Sequence, residues 1–466
     1  MSKPGTENQP LRVAILGSGP AAFYAAEHLF KQTGLVVEID MFDKLPTPFG
    51  LVRAGVAPDH QKIKNVTKVF DGIASHPRFR FNGNVEFGRH ITLAELREHY
   101  HQILYATGAQ TDRRMNIPGE DLCGSHPATE FVAWYNGHPE YRHLEFDLSQ
   151  ERVAVVGVGN VAMDVARILS LSYKELAATD IADYALEALS RSCVKEVYLL
   201  GRRGPAQAAF TNPEVKEVGE LEESDVIVRP DEAELDAVSQ AELERNPDRT
   251  IQTKVKMLQA YAQRAPSAKP RKLTFRFLVS PVELRGDAAG RVESMKLVRN
   301  VLYLTDAGSV SPKATEQFEE TPVGLVFRSV GYRGVALPDV PFNERWGVIL
   351  NEKGRVLDPD SHRHRVGEYT SGWIKRGPSG VIGTNKPDSV ETVNCMLEDL
   401  EGGAVLQPAR PEVAAAAEWI QTRQPQVISY ADWRRLDEME VAKGKAQGRP
   451  RVKLTSIEEM LSALGR

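Results

Sequence analysis

The sequence predicts an α/β protein with two Rossmann-like nucleotide-binding domains, the second inserted into the first. A G-x-G-x-x-A pattern follows the apolar run at 13–16, and the same pattern follows the apolar run at 153–156. Each precedes a segment with helical periodicity, which is typical of a strand, a glycine turn and a helix. The strand-then-glycine pattern of 103–108 also returns at 324–331. This repeat indicates that the first domain resumes after the second.

The elements of the first domain follow from the hydrophobic pattern. Residues 11–16 are predicted as a buried strand, 20–33 as the helix behind it and 35–42 as a second strand. A Pro/Gly-rich loop over 44–59 then leads to a helix over 61–74. Together these elements form a nucleotide-binding βαβ pattern.

The second domain repeats this pattern. An apolar strand within 100–109 closes the first half of the first domain, and a linker is predicted near 110–130. A strand over 152–156, a helix over 160–170 and a strand over 195–200 come next. This is the second βαβ unit.

The predicted domains are 1–110, 111–325 and 326–466. The first and third segments form the first domain, and the second segment is the insertion. The third segment includes a C-terminal extension from about residue 405, whose pattern is typical of folded helices.

Composition excludes several classes of protein. A net charge of −5 and an isoelectric point near 6.2 argue against bulk nucleic-acid binding. The three cysteines, at 123, 193 and 395, form no C-x-x-C, which argues against a redox disulfide and a cysteine-ligated iron–sulfur cluster. No signal-peptide core and no membrane-length apolar run are evident. We expect a cytoplasmic protein without a membrane span.

The first glycine pattern predicts a dinucleotide site. Gly17 and Gly19 allow a tight turn and a close approach of the backbone to a pyrophosphate. Asp43 comes after the second strand, where an acid binds the ribose hydroxyls. FAD and NAD satisfy these features equally well, so this site alone does not choose between them.

The second glycine pattern, Gly157 to Ala162, differs in the residues after its second strand. Arg202 and Arg203 stand where an acid would repel a 2′-phosphate, and two guanidiniums bind it by charge-assisted hydrogen bonds. The alternative is a solvated basic turn. We therefore expect NADP(H) here, and a second dinucleotide beside NADP(H) favours FAD.

Three long motifs in this order resemble adrenodoxin reductase-like ferredoxin–NADP⁺ reductases, and the bacterial-type members are most similar. They are PTPFGLVRAGVAPDH at 46–60, GRRGPAQAAF at 201–210 and GWIKRGPSGVIGTNK at 372–386. The resemblance implies FAD and NADP(H) as cofactors. It also implies electron transfer to a ferredoxin or a similar small acidic iron–sulfur protein.

The resemblance also implies site residues. Residues with an implied FAD contact are Ala22, Asp43, Leu51, Val85, Trp373, Gly380, Val381 and Ile382. Asp43 replaces the family's usual Glu, and its shorter side chain still reaches a ribose. Residues with an implied NADP contact are Arg113, Gly159, Asn160, Val161, Ala162, Met163, Arg202, Arg203 and Glu214.

The chemistry belongs to the flavin, so no metal and no nucleophile is predicted. By resemblance, His60 and Asp164 lie near the flavin, where they tune charge and protons, and Glu217 helps to position the nicotinamide. The alternatives are a loop-capping role for His60, a first-turn helix acid at Asp164 and a solvated helix face at Glu217.

Other functions also fit two nucleotide sites. A glutamate synthase-like FAD/NADPH subunit is an alternative, although it needs an N-terminal cysteine cluster and this chain has no cysteine before Cys123. A flavin monooxygenase and a redox-sensing protein that only binds NADP(H) are further alternatives. The segment 264–272 carries four positive charges and no acid, so it is a candidate docking patch for an acidic ferredoxin or else a solvated face.

Overall fold

The computed structural model describes residues 3–466 and divides into two compact units. The first unit comprises the chain up to Thr111, Asn136–Glu140 and Tyr332–Arg466, and the second comprises Asp112–Tyr135 and Tyr141–Gly331. The predicted boundary after residue 325 falls inside a strand of the second unit.

The first unit contains a seven-stranded sheet with five parallel strands and two short antiparallel strands at one edge. Leu11–Leu16 lies inside the sheet and is buried along its whole length, as expected for a parallel strand covered on both faces. In spatial order the strands are Asn351–Glu352, Arg355–Leu357, His364–Thr370, Gln102–Tyr105, Leu11–Leu16, Val37–Phe42 and Phe79–Asn82.

Helices of the first unit surround this sheet. Pro20–Phe30 packs against Asn385–Glu401, and the Ser389 hydroxyl donates to the Ala21 carbonyl oxygen at 2.9 Å. A small hairpin joins Phe342–Asn343 to Val348–Ile349. The other helices are Leu51–Ala54, Gln61–Lys64, Thr67–Ala74, Leu93–His99, Trp373–Arg376, Val413–Arg423, Tyr430–Lys445 and Ile457–Ala463, with a 3₁₀ turn at Ile382–Thr384.

The second unit is built on a six-stranded parallel sheet. In spatial order its strands are Ser125–Pro127, Leu325–Arg328, Arg152–Val156, Glu196–Leu200, Arg271–Arg276 and Ser224–Val228. Its helices are Ala128–Tyr135, Asn160–Ser170, Tyr173–Ala177, Asp183–Ser190, Asn212–Val218, Pro230–Ala233, Ala237–Arg245 and Arg249–Ala262, and Pro205–Gln207 is a 3₁₀ turn.

A three-stranded antiparallel sheet completes the second unit. Val279–Gly286 pairs with Val292–Leu304, which pairs with Val310–Pro322. The Asn300 side chain of its middle strand donates to the Arg202 carbonyl oxygen at 2.9 Å. This sheet therefore supports the backbone of the predicted arginine pair.

Two predicted helices are shorter than expected. The helix predicted over 20–33 is Pro20–Phe30, because Gly34 with φ +80° lies in the turn after it. The helix predicted over 61–74 is split into Gln61–Lys64 and Thr67–Ala74. Residues 65 and 66 keep helical backbone angles between the two pieces, so the amphipathic pattern continues across the interruption.

Two predicted loops contain regular structure. The loop over 44–59 includes the helix Leu51–Ala54, which begins directly after Gly50. The linker near 110–130 includes the edge strand Ser125–Pro127 of the second sheet. Both elements are too short for a periodic signal, so tertiary pairing rather than local pattern fixes them.

The C-terminal extension is folded, and it belongs to the first unit. Trp433 and Leu436 are buried in the same apolar cluster as strand Leu11–Leu16. Between residues 3 and 466, we find no helix with both the length and the hydrophobicity needed to cross a bilayer.

Candidate nucleotide-binding sites

The first glycine turn joins strand Leu11–Leu16 to helix Pro20–Phe30. Gly17 has φ +99°, and a Cβ on it would clash with the Ala106 carbonyl oxygen. Gly19 caps the helix without a side-chain hydrogen bond, and a Cβ there would meet no atom within 4 Å. The turn is closed on its inner side and open at the helix N-terminus, which fits a pyrophosphate bound by first-turn N–H groups.

The second glycine turn is built in the same way between Arg152–Val156 and Asn160–Ser170. Gly157 has φ +139°, and a Cβ on it would clash with the Ser329 carbonyl oxygen. Gly159 is the helix N-cap, with no side-chain cap and no atom within 4 Å of an added Cβ. This turn also fits a pyrophosphate.

Asp43 braces the first turn. Its Oδ2 accepts the Ser18 N–H at 3.1 Å and the Ser18 hydroxyl at 2.5 Å, and its Oδ1 accepts the Leu45 N–H at 2.9 Å. Burial raises the pKa of Asp43, and these hydrogen bonds oppose the rise. A carboxylate accepts about four hydrogen bonds, so the three used here leave capacity for one ribose hydroxyl.

The other residues of the predicted FAD set differ in exposure. Ala22 is fully buried in the core, so only its backbone N–H, in the first helical turn, is suited to a ligand. Val85 is buried, and its N–H donates to the Asp43 carbonyl oxygen at 2.8 Å. Leu51 is partly exposed at the start of a short helix. Of these residues, Val85 is tied directly to the backbone of Asp43.

Trp373 is the first residue of the short helix Trp373–Arg376, and the turn before it packs against the first helix of the unit. Gly372 before it has φ +80°, and a Cβ there would lie 2.7 Å from the Ala21 Cβ. The Trp373 Nε1 donates to the Ser379 carbonyl oxygen at 3.1 Å, and its ring lies 5.4 Å from the Tyr332 ring. The indole therefore has a fixed orientation beside the helix that comes after the glycine turn.

The segment after Ser379 is open. Gly380 has φ +78° and is exposed, and Val381 is 54% exposed, whereas Ile382 is partly buried. An added Cβ on Gly380 would clash with the Thr384 side chain. A glycine is thus required at 380, and the backbone there is accessible to a ligand.

Sequence reasoning missed the group that fixes this turn. Asp388 Oδ2 accepts the Gly372 N–H at 2.6 Å, and Asp388 Oδ1 lies 3.2 Å from the Lys375 Nζ. The Lys375 Nζ, which is buried, also contacts the Glu391 carboxylate at 2.7 Å. The available signal was a pair of acids three residues apart on one helix face, which is common on solvated helices.

Asn160 braces the second turn. Its Oδ1 accepts the Thr211 N–H at 3.0 Å. The Val158 carbonyl oxygen accepts the N–H groups of Ala209 and Phe210 at 2.8 and 3.0 Å. These bonds connect the glycine turn to the C-terminal end of the GRRGPAQAAF motif at 201–210. Among the neighbouring predicted NADP residues, Ala162 and Met163 are fully buried and Val161 is partly exposed.

Arg202 and Arg203 present two guanidiniums at the end of the second strand. Arg202 is exposed and Arg203 partly exposed, and neither forms an ion pair with any residue in 3–466. Burial lowers the pKa of Arg203, and the neighbouring Arg202 charge lowers it further. The Glu242 charge opposes this shift, but it forms no ion pair with Arg203, and two adjacent cations outside an ion pair fit a dianionic phosphate.

Three predicted acids act on one buried arginine. Asp164 Oδ1 accepts a hydrogen bond from the Arg167 Nη2 at 2.8 Å. Burial lowers the pKa of Arg167, and the carboxylates of Glu214 and Glu217 oppose this shift. Asp164 lies beyond the first helical turn, so the alternative of a first-turn acid is wrong. Arg167 was missed, since an arginine inside a helical pattern carries no distinctive signal.

Glu214 is buried and Glu217 exposed, so the two carboxylates differ in solvation although they lie one turn apart. His60 stands at the N-cap of Gln61–Lys64, and its ring makes no cap hydrogen bond to that helix. Arg113 is exposed, and its N–H donates to the Gly331 carbonyl oxygen at 2.8 Å.

The predicted docking segment 264–272 is partly structural. The Lys269 Nζ donates to the Leu221 carbonyl oxygen at 2.6 Å, and the Arg271 guanidinium donates to the Leu171 carbonyl oxygen. The Lys272 Nζ lies 3.7 Å from the Glu196 carboxylate. The hydrogen bonds to carbonyl oxygens leave the positive charges of Lys269 and Arg271 intact, but they hold these two side chains in fixed positions.

Comparisons with known proteins identify relatives along the whole chain. Residues 11–246 match the pyridine nucleotide-disulphide oxidoreductase family. NADPH-ferredoxin reductase FprA of Mycobacterium tuberculosis is 46% identical over 461 residues, which are 97% of this chain and 99% of FprA. The mitochondrial NADPH:adrenodoxin oxidoreductase of Arabidopsis thaliana is 38% identical, over 98% of this chain and 96% of that protein.

A solved structure agrees with these sequences. Mycobacterium tuberculosis FprA in complex with NADPH matches the fold with a TM-score of 0.92 at 45% identity, over 98% of this chain and 100% of that chain. The predicted α/β fold with two Rossmann-like units is confirmed. The chain belongs to the pyridine nucleotide-disulphide oxidoreductase family and, within it, to the adrenodoxin reductase-like ferredoxin–NADP⁺ reductases.

Proposed function

We propose that this chain is an NADPH–ferredoxin reductase, which passes electrons from NADPH through FAD to a ferredoxin-type iron–sulfur protein. One observation carries the proposal: two glycine turns of the same construction are followed by opposite charges. Asp43 comes after the second strand of the first unit, and Arg202 with Arg203 comes after the second strand of the second unit. The acid suits ribose hydroxyls, and the arginines suit a 2′-phosphate.

The cofactors divide between the units accordingly. We assign FAD to the first unit and NADP(H) to the second unit, with the bounds that the structure gives them. FprA is named for NADPH and ferredoxin, and the Arabidopsis relative is named for NADPH and adrenodoxin. These names support a small iron–sulfur protein as the electron acceptor.

The first unit holds FAD through its turn and its flavin-side residues. When bound, FAD supplies a ring that takes up a hydride and releases electrons singly. Gly17 shapes the turn, the N–H groups of Gly19 and Ala22 bind the pyrophosphate, and Asp43 accepts from the ribose. We assign the ring surroundings to Leu51, Val85, Trp373, Gly380, Val381 and Ile382.

The second unit holds NADP(H) through the matching elements. The N–H groups from Gly159 to Ala162 bind the pyrophosphate, with Met163 closing the first helical turn and Asn160 holding the glycine turn to residues 209–211. Arg202 and Arg203 bind the 2′-phosphate, and Glu214 and Arg113 complete the nucleotide contacts.

Three residues have proposed roles in charge and proton balance. His60 adds a titratable ring at the end of the motif at 46–60. Asp164 is held by Arg167, so its charge is already balanced within the second unit. Glu217 is exposed and orients the nicotinamide side of NADP(H) through its carboxylate.

The cell compartment and the docking surface are also proposals. All three cysteines are free, which fits a reducing cytoplasm. We propose 264–272 as a basic docking segment, because its fixed side chains keep positive charge that attracts an acidic ferredoxin.

The test is NADPH-driven reduction of cytochrome c with and without an acidic ferredoxin. We expect the purified protein to be yellow, with an absorbance maximum at about 450 nm, and the rate of cytochrome c reduction to rise with ferredoxin. A colourless protein that binds NADPH without oxidising it would favour the redox-sensing alternative. NADPH oxidation that needs oxygen and ignores ferredoxin would favour the monooxygenase.

A further inference from the structure

The loop after Asp43 has an unusual backbone. We call residues 46–60 the flavin-side loop. Phe49 has φ +84° and Gly50 has φ +49°. The Phe49 N–H donates to the Ser18 carbonyl oxygen at 2.9 Å, and a Cβ on Gly50 would lie 3.1 Å from the Gly19 Cα. The loop thus presses on the first glycine turn in a conformation that a phenylalanine keeps only when its neighbours enforce it.

The C-terminal extension supplies one of these neighbours. Trp433, in helix Tyr430–Lys445, is 2% exposed and packs edge-on against Phe49, with ring centroids 5.9 Å apart and an interplanar angle of 83°. The Arg53 guanidinium lies 5.1 Å from the Trp433 ring centroid. One indole therefore contacts two residues of the flavin-side loop.

The same helix binds Arg53 a second time through Glu440, which is 1% exposed. The Arg53 Nη2 and Nη1 donate to the two carboxylate oxygens of Glu440 at 2.6 and 2.8 Å. The Arg451 Nη1 and the Leu454 N–H donate to the same carboxylate at 3.1 and 2.9 Å. All four of these hydrogen bonds to the buried Glu440 carboxylate come from protein groups. Loss of the Glu440 charge therefore leaves the Arg53 guanidinium without its counter-ion.

The pKa of Glu440 and a hydrogen bond to the Arg53 backbone are consistent with this geometry. Burial raises the pKa of Glu440, but the guanidiniums of Arg53 and Arg451 outweigh it and lower the pKa overall. The Lys453 Nζ donates to the Arg53 carbonyl oxygen at 3.3 Å. Both the side chain and the backbone of Arg53 are thus held by residues about 400 positions further along the chain.

We propose that Trp433 and Glu440 are positioning residues for FAD: they hold the flavin-side loop in its strained form against the first glycine turn. The inference rests on the proposed assignment of FAD to the first unit. Without these contacts Phe49 relaxes to negative φ, the loop withdraws from Gly19, and FAD is held less tightly. The role of the C-terminal extension is then to complete the flavin site.

The test compares Glu440→Gln with Glu438→Gln in the full-length protein. Both variants remove one negative charge from the same helix, but Glu438 is exposed. FAD is removed, and its dissociation constant is measured by quenching of flavin fluorescence on rebinding. Thermal unfolding of the FAD-free proteins is measured in parallel.

We expect the FAD dissociation constant to rise about tenfold or more in Glu440→Gln and less than about twofold in Glu438→Gln. A dissociation constant unchanged in both variants overturns the proposal. A lower unfolding temperature with unchanged FAD affinity also overturns it, because Glu440 then serves stability alone. Where Glu440→Gln does not fold, Trp433→Phe is measured against the same control, with a rise in the FAD dissociation constant expected and unchanged affinity overturning the proposal.

The same data separate this inference from the proposed function. A wild-type protein that does not rebind FAD overturns the assignment of FAD itself. A wild-type protein that rebinds FAD, with a Glu440→Gln variant that rebinds it equally well, overturns only the role of the C-terminal extension.

Discussion

The two glycine turns show how one backbone device serves two nucleotides. In each, an inner glycine with positive φ fits against a carbonyl oxygen, and an outer glycine caps an eleven-residue helix. After the second strand, the first unit has Asp43 and the second has Arg202 and Arg203. Under the proposed assignment, the turn binds a pyrophosphate, and the residues after the second strand select which nucleotide carries it.

The units also differ in the residue that braces the turn. Asp43 braces its own turn through Ser18, so under the proposed assignment one carboxylate both holds the turn and binds the ribose. In the second unit these tasks are separate, because Asn160 holds the turn while the arginines face outward. Substitution of Asp43 therefore affects two properties, and substitution of the arginines affects one.

The largest expected effect comes from the outer glycines. Gly19→Ala and Gly159→Ala each fit the surrounding protein, because no atom lies within 4 Å of the added methyl group. The methyl group instead occupies the space of the pyrophosphate, so we expect about 100-fold weaker binding of the nucleotide in that unit alone. FAD content is measured by absorbance and NADPH binding by titration. Loss of both nucleotides in both variants would contradict separate sites.

Asp43 is expected to have the next largest effect. Asp43→Ala removes the ribose acceptor and the brace on Ser18, so we expect about tenfold weaker FAD binding. Ser18→Ala removes only the hydroxyl bond of the brace, since the Ser18 N–H still donates to Asp43, and it serves as the matched control, with a smaller loss. Asp43→Glu, the residue that the family usually has, is expected to retain FAD. Full FAD retention by Asp43→Ala on dilution would show that the ribose role is wrong.

Substitution of Asn160 tests the hydrogen bond that holds the second glycine turn. Asn160→Ala leaves the Thr211 N–H without its acceptor but does not alter the arginines. We expect the Michaelis constants for NADPH and NADH to rise by the same factor, about three- to tenfold. A rise for NADPH alone would mean that Asn160 takes part in selection.

The smallest expected effect concerns the docking segment. Lys269 and Arg271 donate to backbone carbonyls, and Arg264 donates to the Gly219 carbonyl oxygen at 3.3 Å, so Lys272→Glu alone is the cleaner charge reversal. We expect about a two- to threefold loss of turnover at limiting ferredoxin, which disappears near saturation and at high salt. Ferricyanide reduction is the control and is expected to be unchanged. Equal losses with both acceptors would remove the segment from the docking surface.

Local patterns predicted the parts of the fold that carry long periodic segments. Strand Leu11–Leu16 and helix Asn160–Ser170 lie where the sequence placed them. Ser125–Pro127 and Leu51–Ala54 were not predicted, because elements of three or four residues depend on tertiary partners. The family and the cofactors were predicted from motifs that extend over ten to fifteen residues.

The bracing groups could not be predicted in this way. Asp388 and Glu440 act through partners that only the fold brings near them, 16 and 387 residues away in sequence, and Arg167 is buried only in the folded protein. In the sequence each looks like an ordinary charge on a helix. Burial distinguishes Arg167 and Glu440, and the contacts with Gly372 and Lys375 distinguish Asp388; both are properties of the fold.

The central claim is that Arg202 and Arg203 make the second unit specific for NADP(H), and kinetics with both nucleotides test it most directly. The measurement is the ratio of kcat/KM for NADPH to kcat/KM for NADH in wild type and in the Arg202→Ala/Arg203→Ala variant, with a small oxidant as acceptor. Each lost charge-assisted contact is worth about 1.5–3 kcal/mol, so we predict that the ratio falls at least about 100-fold while FAD content stays constant. An unchanged ratio in the double variant would contradict the account.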